Sequence, residues 1–494
     1  MTRPVDRWDL PLGLEAGSEP LFRRISRAIV EEIRRGRLRP GTRLPGSRTL
    51  AKTLRVHRNT VLAAYEELAG EGWTESSKAR GTFVCGALPE VRRRAGPARP
   101  SRPPAEAMGF DWRSSVARDA PEAGSVAPLI SVGVPDVRLA PVMALARAFR
   151  RVLRDQPENL LSYGHPQGHP RLRAALAGML RTARGLAVET DDVLVTSGSQ
   201  MALELVARTL LRAGDVVAIE HIGYRQAWQV FEQHGATLAP IPVDEGGLDT
   251  GALEALTERT ALRAVYVTPH HQYPTTATLS AARRIALLEL ARRKRFAVIE
   301  DDYDHEFHYE GRPVLPMAST DRAGVVLYIG SLAKVLAPGV RLGYVTAPRP
   351  VLRQMVAHRA CIDRQGEHAI ACAVAELFEQ GDLQRHARRA RRIYHARRDF
   401  LVRALRRELG SALSFEPPSG GLTLWATVGD GLDVEAWASR LKEQGATLYT
   451  ARHYAYDGRV RPHLRLGFAS FDERELGAWV RLLKRTVPGA SPGG

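Results

Sequence analysis

At 494 residues the chain is too long for one ordinary hydrophobic core, so two or three domains are expected. No apolar run approaches the roughly 20 residues of a membrane span, and Met1-Thr2-Arg3-Pro4-Val5-Asp6 lacks a signal-peptide core, which predicts a cytoplasmic chain with no membrane partner. The net charge of +17 is uneven: residues 1–110 hold 21 Lys/Arg against 12 Asp/Glu, which directs the amino-terminal part toward a polyanion.

Residues 20–36 predict an amphipathic helix with Leu21, Ile25, Ile29 and Ile33 on one face and Gly36 as its stop. The turn Arg39–Gly46 leads to a short helix capped by Ser47 and ending at Leu54. After Arg55-Val56-His57 a further helix starts at Arg58, with Val61, Ala64, Tyr65 and Leu68 buried, and Gly72 ends it. Strands Trp73–Glu75 and Thr82–Cys85 flank a Lys78-Ala79-Arg80-Gly81 tip. Three helices and a hairpin make an α+β winged helix-turn-helix over residues 1–86. Its reading helix opens on Arg58-Asn59-Thr60, where arginine suits the two acceptors of guanine and asparagine suits adenine. Ser47 and Arg48 are placed for phosphate or groove edges, and Arg80 for the backbone or minor groove, so the implied partner is double-stranded DNA.

Residues 87–127 are rich in Pro and Arg, lack periodicity and read as a linker. Extended like polyproline at ~3.1 Å per residue, residues 87–110 would span roughly 70 Å. From residue 128, short apolar strands (Val193–Thr196, Val216–Ile219, Ala264–Thr268, Phe296–Asp301, Val325–Gly330) alternate with helical patterns such as Met201–Arg212 and Ala281–Lys294. This predicts an α/β domain with a mostly parallel sheet and helices on both faces. A helical stretch over 367–408 then leads into a smaller α+β subdomain with strands near Gly421–Val428, Thr447–Tyr449 and His463–Phe468. The expected division is about 160–366 for the large part and 367–494 for the small. Cys85, Cys361 and Cys372 form no disulfide framework or CxxC site and read as small core residues.

Ligands in an open α/β sheet sit beyond the carboxyl ends of the strands. Asp301, Ser331 and Lys334 fall at such ends, and Ser197-Gly198-Ser199-Gln200 opens a helix that offers N–H groups to a phosphate. Tyr224, after another strand, is placed to lie on a ring. Lys334, Asp301, Tyr303 and Arg341 together supply what pyridoxal 5′-phosphate needs. An amine joins the aldehyde, a carboxylate keeps the pyridine nitrogen protonated, a phenol meets the ring oxygen and a guanidinium grips the phosphate. His270-His271 and His305/His308 fit no zinc spacing and read as polar loop residues around the cofactor, so no metal is expected. The run Arg385–Arg392 reads as a solvated helix face.

Residues 128–494 resemble fold-type I pyridoxal-phosphate enzymes of the aspartate aminotransferase class, and Tyr163-Gly164-His165-Pro166-Gln167-Gly168-His169-Pro170-Arg171-Leu172-Arg173 resembles the segment whose tyrosine reaches the neighbouring subunit's phosphate. Residues 20–85 resemble the GntR winged helix. The pair in this order resembles the MocR-like transcription regulators over nearly the whole chain, with Thr268–Thr275 and Glu300–Tyr309 typical of them. The resemblance implies a Schiff base at Lys334, with Asp301 on the ring nitrogen, Tyr303 on the ring oxygen and Tyr224 stacked on the ring. It places Ser199, Gln200, Ser331, Arg341 and the partner's tyrosine (Tyr163 here) around the phosphate, and Arg465 on an amino-acid carboxylate. It assigns DNA contacts to Arg43, Arg48, Arg58, Asn59, Thr60 and the wing, and implies a homodimer with exchanged winged helices. The chain departs from the pattern at His57 (usually Ser), Ile222 (Pro), Thr276 (Gly), Ala333 (a hydroxyl residue) and Thr423 (His). The first reading is a regulator that senses pyridoxal phosphate, or an amino acid or amine joined to it. The rival is an active class I/II aminotransferase with an accessory winged helix, which a metabolic enzyme has no need of.

Overall fold

The computed structural model describes residues 19–77, 81–88, 130, 133–311 and 314–488, and the chain divides into two units, 1–115 and 116–494. The tip residues Lys78-Ala79-Arg80 and linker residues 89–127 lie outside the described residues.

The amino-terminal unit is built from helices Leu21–Arg34, Ser47–Leu54 and Arg58–Gly70 and a hairpin of β1 (Thr74–Ser77) and β2 (Gly81–Val84). The expected stripe packs as its spacing dictates: Ile25, Ile29 and Ile33 are buried with Val61, Ala64, Tyr65 and Leu68 in one core, and Leu21 packs at its margin. Two polar ties cross that core. Ser26 Oγ donates to the carbonyl of Ala64 at 3.1 Å, and the Tyr65 hydroxyl donates to that of Pro45 at 2.7 Å. Ser47 is not the cap of its helix. Gly46 holds that position, and Ser47 is the first helical residue.

The larger unit is organised on a seven-stranded sheet. In chain order its strands are β3 (Val193–Thr196), β4 (Val216–Glu220) and β5 (Thr237–Ile241), then, after a small hairpin of β6 (Val243–Asp244) and β7 (Gly247–Leu248), β8 (Leu262–Val267), β9 (Ala297–Asp302), β10 (Val326–Ser331) and β11 (Gly343–Thr346). The spatial order is β3-β11-β10-β9-β8-β4-β5. All neighbours are parallel except β11, which runs antiparallel to both β10 and β3. Because side chains alternate along a strand, Val193 and Val195 enter one core with helices Pro170–Arg184, Ala281–Lys294 and His368–Glu379. Leu194 enters the other, with helices Ser199–Leu210, Arg225–Gln233 and Arg349–Ile362. Burial on both faces explains why these strands read as unbroken apolar runs.

A third core forms around β12 (Leu413–Ser414), β13 (Thr423–Val428) and β14 (His463–Gly467), an antiparallel sheet covered by helices Val434–Glu443 and Glu473–Thr486. The helical stretch expected over 367–408 is two helices, His368–Glu379 and Asp382–Leu409, broken at the left-handed Gly381. The first packs in the large-sheet core, and only from Ala390 does the second enter the small one, so the change of core falls later than residue 367. Thr447–Tyr449 is no strand; Thr450 makes an isolated bridge to Leu464 instead. Cys372 is buried, but Cys361 is exposed, contrary to the core reading. Arg385, Arg388, Arg389, Arg391 and Arg392 are exposed, as a solvated face requires. No helix among the described residues is long and apolar enough to cross a membrane.

Thr276 has φ +66°, and its N–H donates to the carbonyl of Gln272 at 2.7 Å, closing the turn after β8. A β-branched residue in the left-handed region costs about 1–2 kcal/mol, against about 0.5–1 kcal/mol for the greater chain entropy of glycine. Thr276→Gly should therefore stabilise the larger unit by up to roughly 1 kcal/mol, read as a higher urea midpoint; a lowered midpoint would show that Thr276 carries no strain.

Candidate cofactor and DNA-reading sites

The parallel strands deliver their carboxyl ends to one edge of the sheet, and the antiparallel β11 completes that edge with its beginning. Gly343 pairs with Thr196 of β3 and with Ser331 of β10, so the residues just before it arrive beside the Ser197–Gln200 turn. Arg341 sits there in a left-handed conformation, φ +54°, and its guanidinium donates to the carbonyl of Ser197 at 2.7 Å. Gly198, φ +86°, is the cap of helix Ser199–Leu210, and a Cβ there would stand 3.1 Å from the Arg341 guanidinium. A Cβ on Gly343 would come within 2.7 Å of the Gly198 backbone. Two glycines therefore let a guanidinium, the start of a helix and the Ser331 strand end converge, which is the chemistry of an anion site. Ser331 Oγ accepts from the Ala333 N–H at 3.1 Å, and Gln200 Nε2 donates to the carbonyl of Gln226 at 3.4 Å.

Asp301 ends the line of β9 side chains facing Tyr266. The Tyr266 hydroxyl donates to Asp301 Oδ2 at 2.9 Å, while Oδ1, also buried, has no hydrogen-bond partner among the described residues. Burial pushes the Asp301 carboxyl up to about 7, reinforced by the nearby Asp302 and Asp304 carboxylates and opposed by the Tyr266 hydrogen bond and by Lys334. Burial, and then the charge of Arg465, pull the Lys334 ammonium down to about 8, against the pull of Asp304 and Asp301. Lys334 Nζ donates to the carbonyl of Gly133 at 2.7 Å. Tyr224 is half-buried, caps the helix Arg225–Gln233 and meets Tyr273 edge to face at 5.4 Å. Burial, then the Asp301 charge, raises its phenol. The Tyr303 hydroxyl donates to the carbonyl of His271 at 3.0 Å, a bond it must exchange to serve a ligand. Arg465 is buried, with its guanidinium 4.2 Å from the Tyr273 ring centre and 5.8 Å from that of Tyr454. Such a guanidinium stacked on aromatic rings is held in one orientation.

Not every expected residue points into this cradle. Tyr163 is 76% exposed, with the Arg364 guanidinium 4.0 Å over its ring. Several contacts had no role in the sequence reading: Tyr266 on Asp301, Gly133 on Lys334, Tyr273 and Tyr454 on Arg465, and Glu220. Glu220 is buried against Thr268 (2.9 Å to Oγ1), and burial raises it to about 7. Tyr266 and Tyr273 lay in runs already singled out, but no local signal marked any of these contacts, because each joins residues far apart along the chain.

In the amino-terminal unit, Arg58 and Asn59 are exposed and Thr60 is half-buried at the start of the reading helix. His57 caps that helix: its Nδ1 accepts from the Asn59 N–H at 3.2 Å, so imidazole replaces the usual hydroxyl. Arg58 Nε donates to Ser47 Oγ at 3.3 Å, linking the starts of the two helices, and Arg48 is exposed beside them. Arg43 lies against Gly81, at the turn end of the hairpin, and Arg80 lies outside the described residues.

Comparison with known proteins covers both units. The family "Aminotransferase class I and II" matches residues 128–483, and "Bacterial regulatory proteins, gntR family" matches residues 21–84. The probable rhizopine catabolism regulatory protein MocR of Rhizobium meliloti is 31% identical over 470 residues, covering 94% of this chain and 93% of that protein. The chain belongs to the MocR-like family of GntR transcription regulators. Another relative of this MocR-like chain, the pyridoxine biosynthesis transcriptional regulator PdxR of Corynebacterium glutamicum, is 32% identical over 480 residues, covering 96% of this chain and 97% of that protein. Among solved structures, the α-aminoadipate aminotransferase LysN of Thermus thermophilus, complexed with N-(5′-phosphopyridoxyl)-L-leucine, superposes with a TM-score of 0.68 at 28% identity. That match covers 74% of this chain and 94% of the LysN chain. The larger unit of the MocR-like chain therefore has the fold-type I aminotransferase architecture, a fold that implies pyridoxal phosphate.

The raised Asp301 value has a measurable sign. Its ordinary value is 3.8 and its folded value about 7, so the fold holds the proton more tightly than the unfolded chain does. Stability is lost progressively as pH rises through that interval, and the full cost is reached above about 7. Without cofactor, Asp301→Asn should match the parent's melting temperature near pH 4 and exceed it at pH 8, while weakening cofactor binding at both. A variant that melts below its parent at pH 8 would show that Asp301 is already compensated in the empty cradle.

Proposed function

We propose that this regulator holds pyridoxal 5′-phosphate in the cradle and alters its grip on a double-stranded operator according to the state of that cofactor. The observation that carries the reading is Asp301 Oδ1, a buried carboxylate oxygen with no partner among the described residues, beside the electrostatically coupled amine of Lys334. A pyridinium N–H supplies both the hydrogen bond and the positive charge that this oxygen lacks. When bound, the cofactor supplies an electrophilic aldehyde and an electron-withdrawing ring.

In this reading Lys334, its ammonium value lowered to about 8, presents a neutral amine to the aldehyde in a usable fraction at physiological pH. Asp301 keeps the ring nitrogen protonated, Tyr224 covers a ring face, and Tyr303 serves the ring oxygen after releasing the His271 carbonyl. Ser199, Gln200, Ser331 and Arg341 hold the phosphate. The exposed Tyr163 completes the site of a second copy, which makes a homodimer the functional form. Arg465, buried between two phenols, receives the carboxylate of an amino-acid effector. The names of MocR and PdxR point to two different settings, rhizopine catabolism and pyridoxine biosynthesis. The buried Arg465 favours an amino acid acting on bound cofactor. On the DNA side Arg58, Asn59 and Thr60 read bases, while Arg43, Ser47, Arg48 and Arg80 hold the backbone.

Borohydride should fix the cofactor to the peptide containing Lys334, and Lys334→Ala should lose both that label and the effect of cofactor on DNA mobility shift. An unchanged label in Lys334→Ala would overturn the assignment of the amine, whereas ordinary transaminase turnover on the order of 1–1000 per second, with DNA binding indifferent to cofactor, would favour the rival enzyme. Separately, Arg58→Ala should lower discrimination between operator and mismatched DNA by about 1–3 kcal/mol, measured at constant salt. An equal loss on all sequences would make Arg58 a phosphate contact only.

A further inference from the structure

Behind the cradle, two loops bring four imidazoles together. His270 and His271 follow β8, and His305 and His308 follow β9. The ring centres of His270 and His271 are 4.4 Å apart, and His305 stacks on His270 at 4.3 Å. One ring nitrogen from each of His270, His271 and His308 lies within 4.8 Å of the other two. His270 and His271 are buried, at 4% and 1% exposure, and His308 is half-buried. Among the described residues, neither nitrogen of His270 nor Nε2 of His271 has a hydrogen-bond partner. Buried polar atoms in such numbers require a partner.

The fourth element of the arrangement is Asp304. Its Oδ1 lies 2.7 Å from His271 Nδ1, and both groups are buried. With the carboxylate accepting the Nδ1 proton, Nε2 of His271 is left with a lone pair. A carboxylate–imidazole pair of this kind orients and strengthens a histidine toward a metal ion. We propose that His270, His271 and His308 bind a divalent cation of the zinc class, with a fourth position open. Three nitrogen donors without oxygen ligands select zinc, cobalt or nickel over magnesium or calcium. Bonds of about 2.0–2.1 Å require the ligand nitrogens to approach to roughly 3.3 Å. The closing movement falls mainly to His308, which is the most accessible of the three. The ion's charge is offset by Asp304 and by Asp302, whose Oδ2 stands 3.1 Å from His305 Nδ1. The nearby Arg284 is committed to the carbonyls of Leu279, Leu315 and Pro269 and leaves the pocket to the imidazoles.

The site stands on its own geometry, whatever occupies the cradle. It nonetheless joins the loop after β8 to the segment after β9, and the carbonyl of His271 is the atom that receives the Tyr303 hydroxyl. Binding of an ion therefore stiffens one wall of the cradle. The spacing of these histidines along the chain hides this arrangement, because the ligands come from two loops and one pair is adjacent in sequence.

The test uses the tag-free full-length chain, stripped with a chelator, incubated with zinc sulfate or cobalt chloride and desalted. Elemental analysis should find about one ion per chain, and bound cobalt should show the visible bands of low coordination number. His308→Ala, at the accessible position, should lower retention at least tenfold, and His270→Gln should do the same. His305→Asn should retain metal like the parent, and circular dichroism should show all three folded. A parent chain that retains no ion after desalting would overturn the proposal and assign the pocket to buried water. Retention by His308→Ala equal to the parent's, or loss confined to His305→Asn, would overturn the ligand set.

Discussion

Burying three acidic side chains in a row at the end of β9 imposes a cost that the larger unit is arranged to meet. Each of Glu300, Asp301 and Asp302 is met differently. Glu300 accepts from the Met317 and Ala318 N–H groups at 2.8 and 2.9 Å, yet burial still raises it to about 7. Asp302 accepts from the Tyr328 hydroxyl at 2.6 Å. Although burial opposes its charge, His305, His270 and Arg184 hold it well below the ordinary carboxylate range. Asp301 receives one phenol and the charge of the Lys334 amine, and here too burial wins. The alternation of the strand sends Asp301 to the opposite face from its two neighbours, and that face is where the cradle opens.

Much of this was legible beforehand because the chemistry is ordered along the chain. The strand ends at Thr196, Asp301 and Ser331 carry short polar motifs, and the apolar runs before them have the length and the β-branched content of buried parallel strands. What escaped was whatever depends on neighbours across the sheet. β11 is four residues long, begins with glycine and runs against its neighbours, yet it delivers Arg341 to the Ser197–Gln200 turn. β5 carries Pro240 and leaves Thr237 and Pro240 exposed, which a central strand would not tolerate and an edge strand does. Tyr266 belongs to an unbroken apolar run, and nothing local marks its hydroxyl as the partner of a carboxylate 35 positions away.

The amino-terminal unit was more transparent because its contacts are local. The Val61–Leu68 periodicity, the Gly72 stop and the exposed Arg58-Asn59 pair all follow from helical spacing. Its two surprises are both caps. Ser47, suited by composition to close a helix start, is drawn one position inward and receives Arg58 instead. His57 does the capping because a lone pair on Nδ1 serves a backbone N–H as a hydroxyl oxygen does. The Tyr65–Pro45 hydrogen bond then ties the loop before the second helix to the body of the third, so the surface offered to DNA is braced from beneath.

Gly133 gives the larger unit an unusual threshold. Its carbonyl receives Lys334 Nζ, and a Cβ in its place would stand 2.8 Å from the Arg465 guanidinium. A few residues earlier Ile130 is buried in the small core, with its carbonyl accepting the Gly467 N–H at 2.6 Å. The backbone entering this unit is thus anchored in one lobe and then passes across the amine, like a cord drawn over a latch. Tension along the chain from its amino-terminal side reaches that latch before it reaches any strand of the main sheet. A fragment begun at helix Val142–Asp155 would keep every strand of that sheet and the helices packed on it, and lose the cord.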